Sequence, residues 1–344
     1  EFTQVDMEIS FVDQEEVMDL NERLIQRVFK QILDVDVKLP IERMTYKAAV
    51  DKYGSDKPDL RFGMEINNIS EVVKGVDFKV FQNALENGGS VRAIKVSGSA
   101  ALGRKQLDKL VEFVKTYGAS GLIWMAYKKE GIKCSISKFL TEENTRNILN
   151  KMEAEEGDLI LIVADKNKVV FESLGALRVH MAKQTGILEG NNDFKFVWIT
   201  EFPLLSYNEE EDRYQAEHHP FVMPMDEDIK YLESNPEKVR AKAYDIVLNG
   251  EELGGGSIRI HDTKLQEKMF GAIGMTKETA WDKFGYFLQA LKFGTPPHGG
   301  LAYGFDRMIM FLAGTDNIKD VIAFPKNQNA FCPLTEAPSS VDKS

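Results

Sequence analysis

The sequence predicts an α+β fold, an antiparallel sheet flanked by helices, with a second α+β domain inserted into it. Three observations predict this. The first residues, Glu1 to Val12, alternate polar and apolar as a half-buried strand does. From residue 65 to 190 the pattern changes to short strands and amphipathic helices that carry no cluster of catalytic residue types. After residue 190 the strand-rich texture returns, and it culminates in two glycine-rich stretches, Leu253 to Ile260 and Gly299 to Gly304. The expected organisation is therefore 1–64 and 191–344 as two parts of one domain, with 65–190 inserted between them.

The elements follow in order. Asp13 to Glu16 has capping-box spacing and opens a long helix with Val17, Met18, Leu24, Ile25, Val28, Phe29 and Ile32 on its apolar side. Met44 to Tyr53 reads as a second, shorter helix, and the turn-rich loop Tyr53 to Arg61 follows it. In the insertion, Gly89 to Val96 suggests a hairpin edge and strand, and Arg104 to Tyr117 a helix. Gly121 to Tyr127 is a buried strand, Glu142 to Met152 a helix, Asp158 to Val163 a strand and Leu174 to Thr185 a helix. Phe196 to Thr200 resumes the first domain. Asn249-Gly250 is a hairpin turn signal, and Lys277 to Leu291 is a helix before the last glycine-rich strand.

Composition narrows the classes. With 43% hydrophobic and 28% charged residues the chain is an ordinary globular protein. No apolar run reaches the ~20 residues a membrane span needs. Cys134 and Cys332 alone argue against a disulfide framework and point to a reducing cytoplasm. They also argue against Cys/His metal clusters. The net charge of −11 disfavours nucleic-acid binding over the whole surface but leaves room for a local basic groove. The chain begins without Met in the middle of a strand pattern, which reads as a fragment cut upstream.

Four groups of residues carry chemistry. Gln4, Asp6 and Glu8 share one face of the first strand through their period-two spacing. That face either meets solvent or binds a cation, such as an ammonium group or a metal. Glu217-His218-His219-Pro220-Phe221 holds two adjacent histidines, which on extended backbone point opposite ways and make poor joint metal ligands. A structural pair is the simpler reading. Asp245 to Asp262 is the densest group. Its hairpin can set Asp245 beside Glu252, and two such carboxylates repel unless a cation such as Mg²⁺ on substrate phosphates lies between them. Gly254-Gly255-Gly256 would let a flat ligand lie on the strand, and Arg259 offers a fork for a carboxylate. A glycine-rich bulge with a surface ion pair is the alternative. Finally, Gly299 to Arg307 runs from a glycine-rich strand into the apolar helix Met308 to Leu312, with Arg307 at the junction. A helix N-terminus and an arginine suit a phosphate. Together these groups match an amino acid and ATP, hence carboxylate activation by adenylation.

The run Gly300 to Arg307, with the order Gly-x-Ala-x-Gly-x-x-Arg, resembles motif 3 of the class II aminoacyl-tRNA synthetases. With Glu1 to Glu8, Tyr53 to Arg61, His218 to Phe221, Asp245 to His261, Lys292 to His298, Ala323 to Lys326 and Thr335 to Pro338, the chain resembles the bacterial aspartyl type over nearly its whole length. The resemblance implies a class II antiparallel sheet with 65–190 as an inserted GAD-type domain. It implies ATP and L-aspartate as substrates, Mg²⁺ as cofactor, and tRNA-Asp as acceptor, with tRNA-Asn open. It also implies a cytoplasmic full-length homodimer. Gln4, Asp6, His218, His219 and Arg259 would bind aspartate, with Arg259 on its side-chain carboxylate. Asp245 and Glu252 would hold the metal. Glu252, Gly304, Phe305, Asp306 and Arg307 would bind ATP, Arg307 on the γ-phosphate, and Arg307 and Glu252 would be the catalytic pair. The family's anticodon-binding OB-fold, motif 1 and the first strand of motif 2 would precede Glu1, so this polypeptide alone is expected to be inactive. A non-catalytic binding or regulatory paralogue and an asparagine synthetase-like aspartate-activating enzyme are the competing readings. Intact Glu252, Arg259 and Arg307 weigh against the first, and the insertion weighs against the second.

Overall fold

The computed structural model describes residues 2–340; Glu1, the first residue of one matched stretch, lies outside them. The chain divides into two compact units, residues 1–42, 200–246 and 252–344 in one, 43–199 and 247–251 in the other. Both are mixed α/β with antiparallel pairing.

Strand Gln4–Ser10 pairs with His298–Gly304, which pairs with Glu251–Ile258, followed by Ala243–Leu248; apart from the hairpin residues 247–251 these four strands belong to the first unit. The register sets Glu8 opposite Gly300 and Asp6 opposite Ala302. On the far side of the middle strand, Ala302 faces Gly255 and Gly300 faces Ser257. Directly opposed residues of an antiparallel ladder share a face, so Gln4, Asp6, Glu8, Gly255 and Ser257 lie on one side of the sheet. The other side carries Met7, Leu301 and Tyr303, and helix Gln14–Leu33 packs near the middle strand. That helix begins with the capping box the sequence announces, Asp13 accepting from the N–H of Glu16 and Glu16 reaching back to Asp13. Val17, Met18, Ile25 and Phe29 are fully buried, but Ile32, expected on the apolar side, is 60% exposed at the last turn.

Two of the three consecutive glycines answer to strand packing. A Cβ on Gly254 would lie 2.7 Å from the Ala302 carbonyl, and one on Gly256 would overlap the Gly300 carbonyl. Only Gly255 faces functional side chains, so the expectation of a flat ligand lying over all three is replaced by close strand approach at two of them.

The second unit holds a five-stranded antiparallel sheet, in the order Asn67–Asn68, Ser90–Val96, Leu159–Asp165, Ile123–Lys128, Gly131–Cys134. One face packs on helices Arg104–Lys115 and Asn167–Thr185 through Leu107, Leu110, Leu174 and Leu177. The other packs Ile160 and Ile162 in a cluster with Phe81 and Ile148. Ser90–Val96, expected at an edge, is paired on both sides. Met44 belongs to the strand Glu42–Thr45, and the helix expected from it starts at Tyr46, because Thr45 is extended and caps it. The helix expected from Leu174 starts at Asn167.

The loop after Tyr53 is held from inside. Arg178 is 1% exposed, donates from Nη2 to the carbonyls of Asp59, Phe62 and Gly63, and stacks between the rings of Tyr53 and Phe62. Burial lowers its pKa to about 10, still far above neutrality, so it remains a cation. Gly54 and Gly175 meet so closely that a side chain at either would strike the other's backbone.

Candidate active site

The functional side chains converge on the polar face of the first unit's sheet. Arg259 follows strand Glu251–Ile258, two residues beyond Ser257. Its Nε lies 3.2 Å from Glu8 Oε1 and its Nη2 3.4 Å from Glu8 Oε2. Nη1 donates to Ser257 Oγ and sits 2.8 Å from His219 Nε2. A guanidinium has five N–H donors. These contacts leave one hydrogen on Nη2, so a bidentate grip on a ligand carboxylate requires His219 or Ser257 to release Nη1. Glu8 is thus the side chain that orients the fork. It is 46% exposed, so the pair itself contributes little, about 1 kcal/mol or less, to folding.

His219 is positioned by its contact with Arg259. Its Nδ1 lies 3.3 Å from the backbone N–H of Phe221, and its Nε2 faces Arg259. A neutral ring accepts at one nitrogen only. The shorter, charge-assisted contact decides: Nε2 accepts from Arg259 and the proton resides on Nδ1. The imidazole is held neutral, its pKa lowered from 6.5 to about 4 by burial first, then by the charges of Arg259 and His218. Between pH 6.5 and about 4 the unfolded chain takes up a proton that the folded chain refuses. Stability therefore rises with pH across that window and falls as pH drops through it. An NMR titration of the ring should show a midpoint near 4, and Arg259→Leu should move it only part of the way to 6.5, because burial is the larger cause. A midpoint near 6.5 in the parent chain refutes this. His218 points elsewhere, edge-on to Phe202 at 5.1 Å. The histidine nearest Arg259 is therefore His219, not His218.

The hairpin brings the carboxylates together. Asn249 and Gly250 both have positive φ, +52° and +93°, which a two-residue type I′ turn requires. The Asn249 side chain accepts from Lys195 N and donates to Asp193 O, both at 2.9 Å. Across the hairpin, a Cβ placed on Gly255 would lie 2.5 Å from Asp245 Oδ1 and 3.5 Å from Glu252 Oε1. Both carboxylates thus approach the same bare Cα. Two hard oxygen donors fit Mg²⁺, which takes one or two carboxylates and completes its shell with water and phosphate oxygens. Among the described residues no group of three or more His, Cys, Asp or Glu forms a complete protein cage.

Strand His298–Gly304 passes directly into helix Phe305–Ala313, with Gly304 as an N-cap that has no capping side chain. The N–H of Phe305 donates to Thr3 O, and Asp306 accepts from Thr3 N. Arg307 turns back and donates from Nη1 to the carbonyl of Glu252. The structure therefore joins Arg307 to the carboxylate hairpin, and joins Glu8, Ser257, His219 and Arg259 in a second cluster on the same face. Gln4 and Asp6 lie on that face in register with Gly304 and Ala302. Ser257 and the orienting role of Glu8 were not read from the sequence. The period-two spacing groups Glu8 with Gln4 and Asp6 on one face, but its partner lies 251 positions away.

The sheet thus carries a carboxylate pair, an arginine at a strand-to-helix junction and a second arginine in a polar cluster. The sequence model of class II tRNA synthetases (D, K and N) matches residues 1–328. The chain belongs to this family of class II tRNA synthetases. It is 95% identical over all 344 of its residues to the aspartate–tRNA ligase of Clostridium kluyveri (strain ATCC 8527). It is 73% identical over 343 residues to that of Clostridium novyi (strain NT). The chain spans 58% of the length of each of these relatives. A solved structure, the aspartyl tRNA synthetase from Entamoeba histolytica, aligns with 96% of this chain and 44% of its own at 15% identity and a TM-score of 0.44.

Proposed function

We propose that this chain forms a large part of the catalytic centre of an aspartate–tRNA ligase, which activates L-aspartate with ATP and transfers it to tRNA-Asp. The observation that carries this reading is the Arg259 cluster lying on the same sheet face as the Asp245–Glu252 pair and Arg307. The names of the C. kluyveri and C. novyi relatives support the choice of amino acid. Arg259 takes the side-chain carboxylate of aspartate, drawing on the Nη1 hydrogens that His219 and Ser257 hold in the absence of ligand. Because His219 is neutral, it yields that position without stranding a charge. Gln4 and Asp6 line the pocket on the ammonium side. The α-carboxylate oxygen attacks the α-phosphorus of ATP, forming the mixed anhydride while the bond to pyrophosphate breaks. No protein group has to move a proton in that step; alignment and charge stabilisation do the work.

Asp245 and Glu252 would hold Mg²⁺, which when bound neutralises charge on the phosphates. Arg307 sits on the γ-phosphate, and Gly304, Phe305 and Asp306 form the rest of the ATP segment. We extend the proposal to residues 65–190 as a GAD-type inserted domain. It extends also to a homodimer of the full-length protein and to a cytoplasmic setting; among the described residues no helix is long and apolar enough to cross a membrane. Whether tRNA-Asn is a second acceptor is decided by aminoacylation of both tRNAs. The direct test places this sequence in the matching 344 residues of the C. kluyveri ligase and measures ATP–pyrophosphate exchange. Exchange should depend on aspartate and should not be supported by asparagine; equal exchange with either overturns the reading.

A further inference from the structure

Gln266, in helix Thr263–Ala272, is fully buried. Its Nε2 donates to the carbonyl of Pro220 at 2.7 Å, while its Oε1 is buried with no hydrogen-bond partner. An amide satisfied at one end only is a costly way to fill space, and an apolar side chain of the same length would serve a core better. The one bond it makes fixes the residue immediately after His219.

The next residue is fixed as firmly. The ring of Phe221 meets Phe284 at 5.1 Å and Phe287 at 4.7 Å, both edge-on, and Phe270 at 6.1 Å. Phe284 stacks on Phe270 at an angle of 2°. It is also the one residue of helix Lys277–Leu291 with non-helical backbone, φ −131°. The backbone beyond then runs antiparallel to the arginine's own segment: Ile260 N donates to Phe221 O, Met223 N to Ile258 O, and Val222 bridges Arg259. His219 therefore hangs from the end of a segment pinned at three successive positions.

We propose that Gln266 and the Phe270–Phe284–Phe287 cage are positioning residues for the aspartate pocket, holding His219 against Arg259 and so setting amino-acid affinity without touching the ligand. This rests on the reading of Arg259 as the aspartate-binding residue. The test uses Gln266→Met, which keeps the length and removes both polar ends, in the C. kluyveri ligase carrying this sequence. The KM for aspartate should rise about tenfold, the scale of one lost hydrogen bond. The KM for ATP and kcat should stay within about twofold of the parent, which general loosening of the fold would not respect. An unchanged aspartate KM overturns the proposal. Arg259→Lys is run alongside: if it too leaves the aspartate KM unchanged, the reading of the pocket has failed, and the ring titration then judges the positioning. In Gln266→Met the His219 midpoint should move up towards 6.5, and an unmoved midpoint overturns the proposal. Should the Met variant fold poorly, Gln266→Glu keeps the shape. Protonated, it donates to Pro220; ionised, it repels that carbonyl. The aspartate KM should then climb with pH relative to the parent, and a parallel profile overturns the proposal.

Discussion

Replacing Arg259 with leucine lowers aspartate-dependent ATP–pyrophosphate exchange by on the order of 10³-fold. Truncating one member of a desolvated, hydrogen-bonded charge pair costs about 2–5 kcal/mol, and about 1.4 kcal/mol is a factor of ten. The guanidinium side chain is only 21% exposed, so water replaces little of what it offers a carboxylate. Lysine at this position keeps the charge but loses the planar fork, and it should recover only part of the activity. Selectivity for aspartate over asparagine should collapse in the leucine variant, because a neutral amide no longer forfeits an ion pair. The fold should survive: Glu8, left without its partner, is half in water. The decisive measurement is kcat/KM for aspartate beside a melting curve. A leucine variant within tenfold of the parent, with an unchanged melting temperature, removes Arg259 from the site.

Local chemistry was legible and long-range register was not. The capping box at Asp13 and Glu16 and the Asn249-Gly250 turn are satisfied within a few residues of themselves, and both appear where their spacing puts them. The faces of the first strand could be listed but not assigned. A slip of one residue would turn Gln4, Asp6 and Glu8 to the other side. Only the pairing of Glu8 with Gly300, and of Gly300 with Ser257, brings Glu8 to Arg259. Ile32 has the right helical spacing yet lies exposed at the helix end, because spacing reports a face and not how far its cover extends. Helix Thr263–Ala272 escaped notice although Asp262 caps it, and Gln266 was lost with it. A buried glutamine serving one distant carbonyl leaves no periodic trace. The triple glycine was read as one feature. It is two, since Gly254 and Gly256 make room for a neighbouring strand and Gly255 makes room for carboxylates.

That division makes Gly255→Ala the sharper probe of the ATP side. The added methyl would sit 2.5 Å from Asp245 Oδ1, a distance no methyl carbon tolerates, and a tight 3.3 Å from its Cγ. Asp245 is 7% exposed, so its carboxylate has no open space to retreat into. Glu252 Oε1, 3.5 Å from the same methyl, is at ordinary contact and can stay. The substitution therefore displaces one carboxylate of the pair and leaves its partner. If the two hold the metal that accompanies ATP, kcat/KM for ATP should fall by about 10²-fold, the scale on which a misplacement near 1 Å acts. The Mg²⁺ concentration for half-maximal exchange should rise with it. The KM for aspartate should change little, because the Arg259 cluster lies along the ladder at Ser257 and Gly300. Gly254→Ala is the control: its methyl meets the Ala302 carbonyl and the Tyr303 ring, so it should lower the melting temperature. If Gly255→Ala behaves like Gly254→Ala, losing stability with no separate change in Mg²⁺ dependence, the carboxylate pair is structural and the metal binds elsewhere.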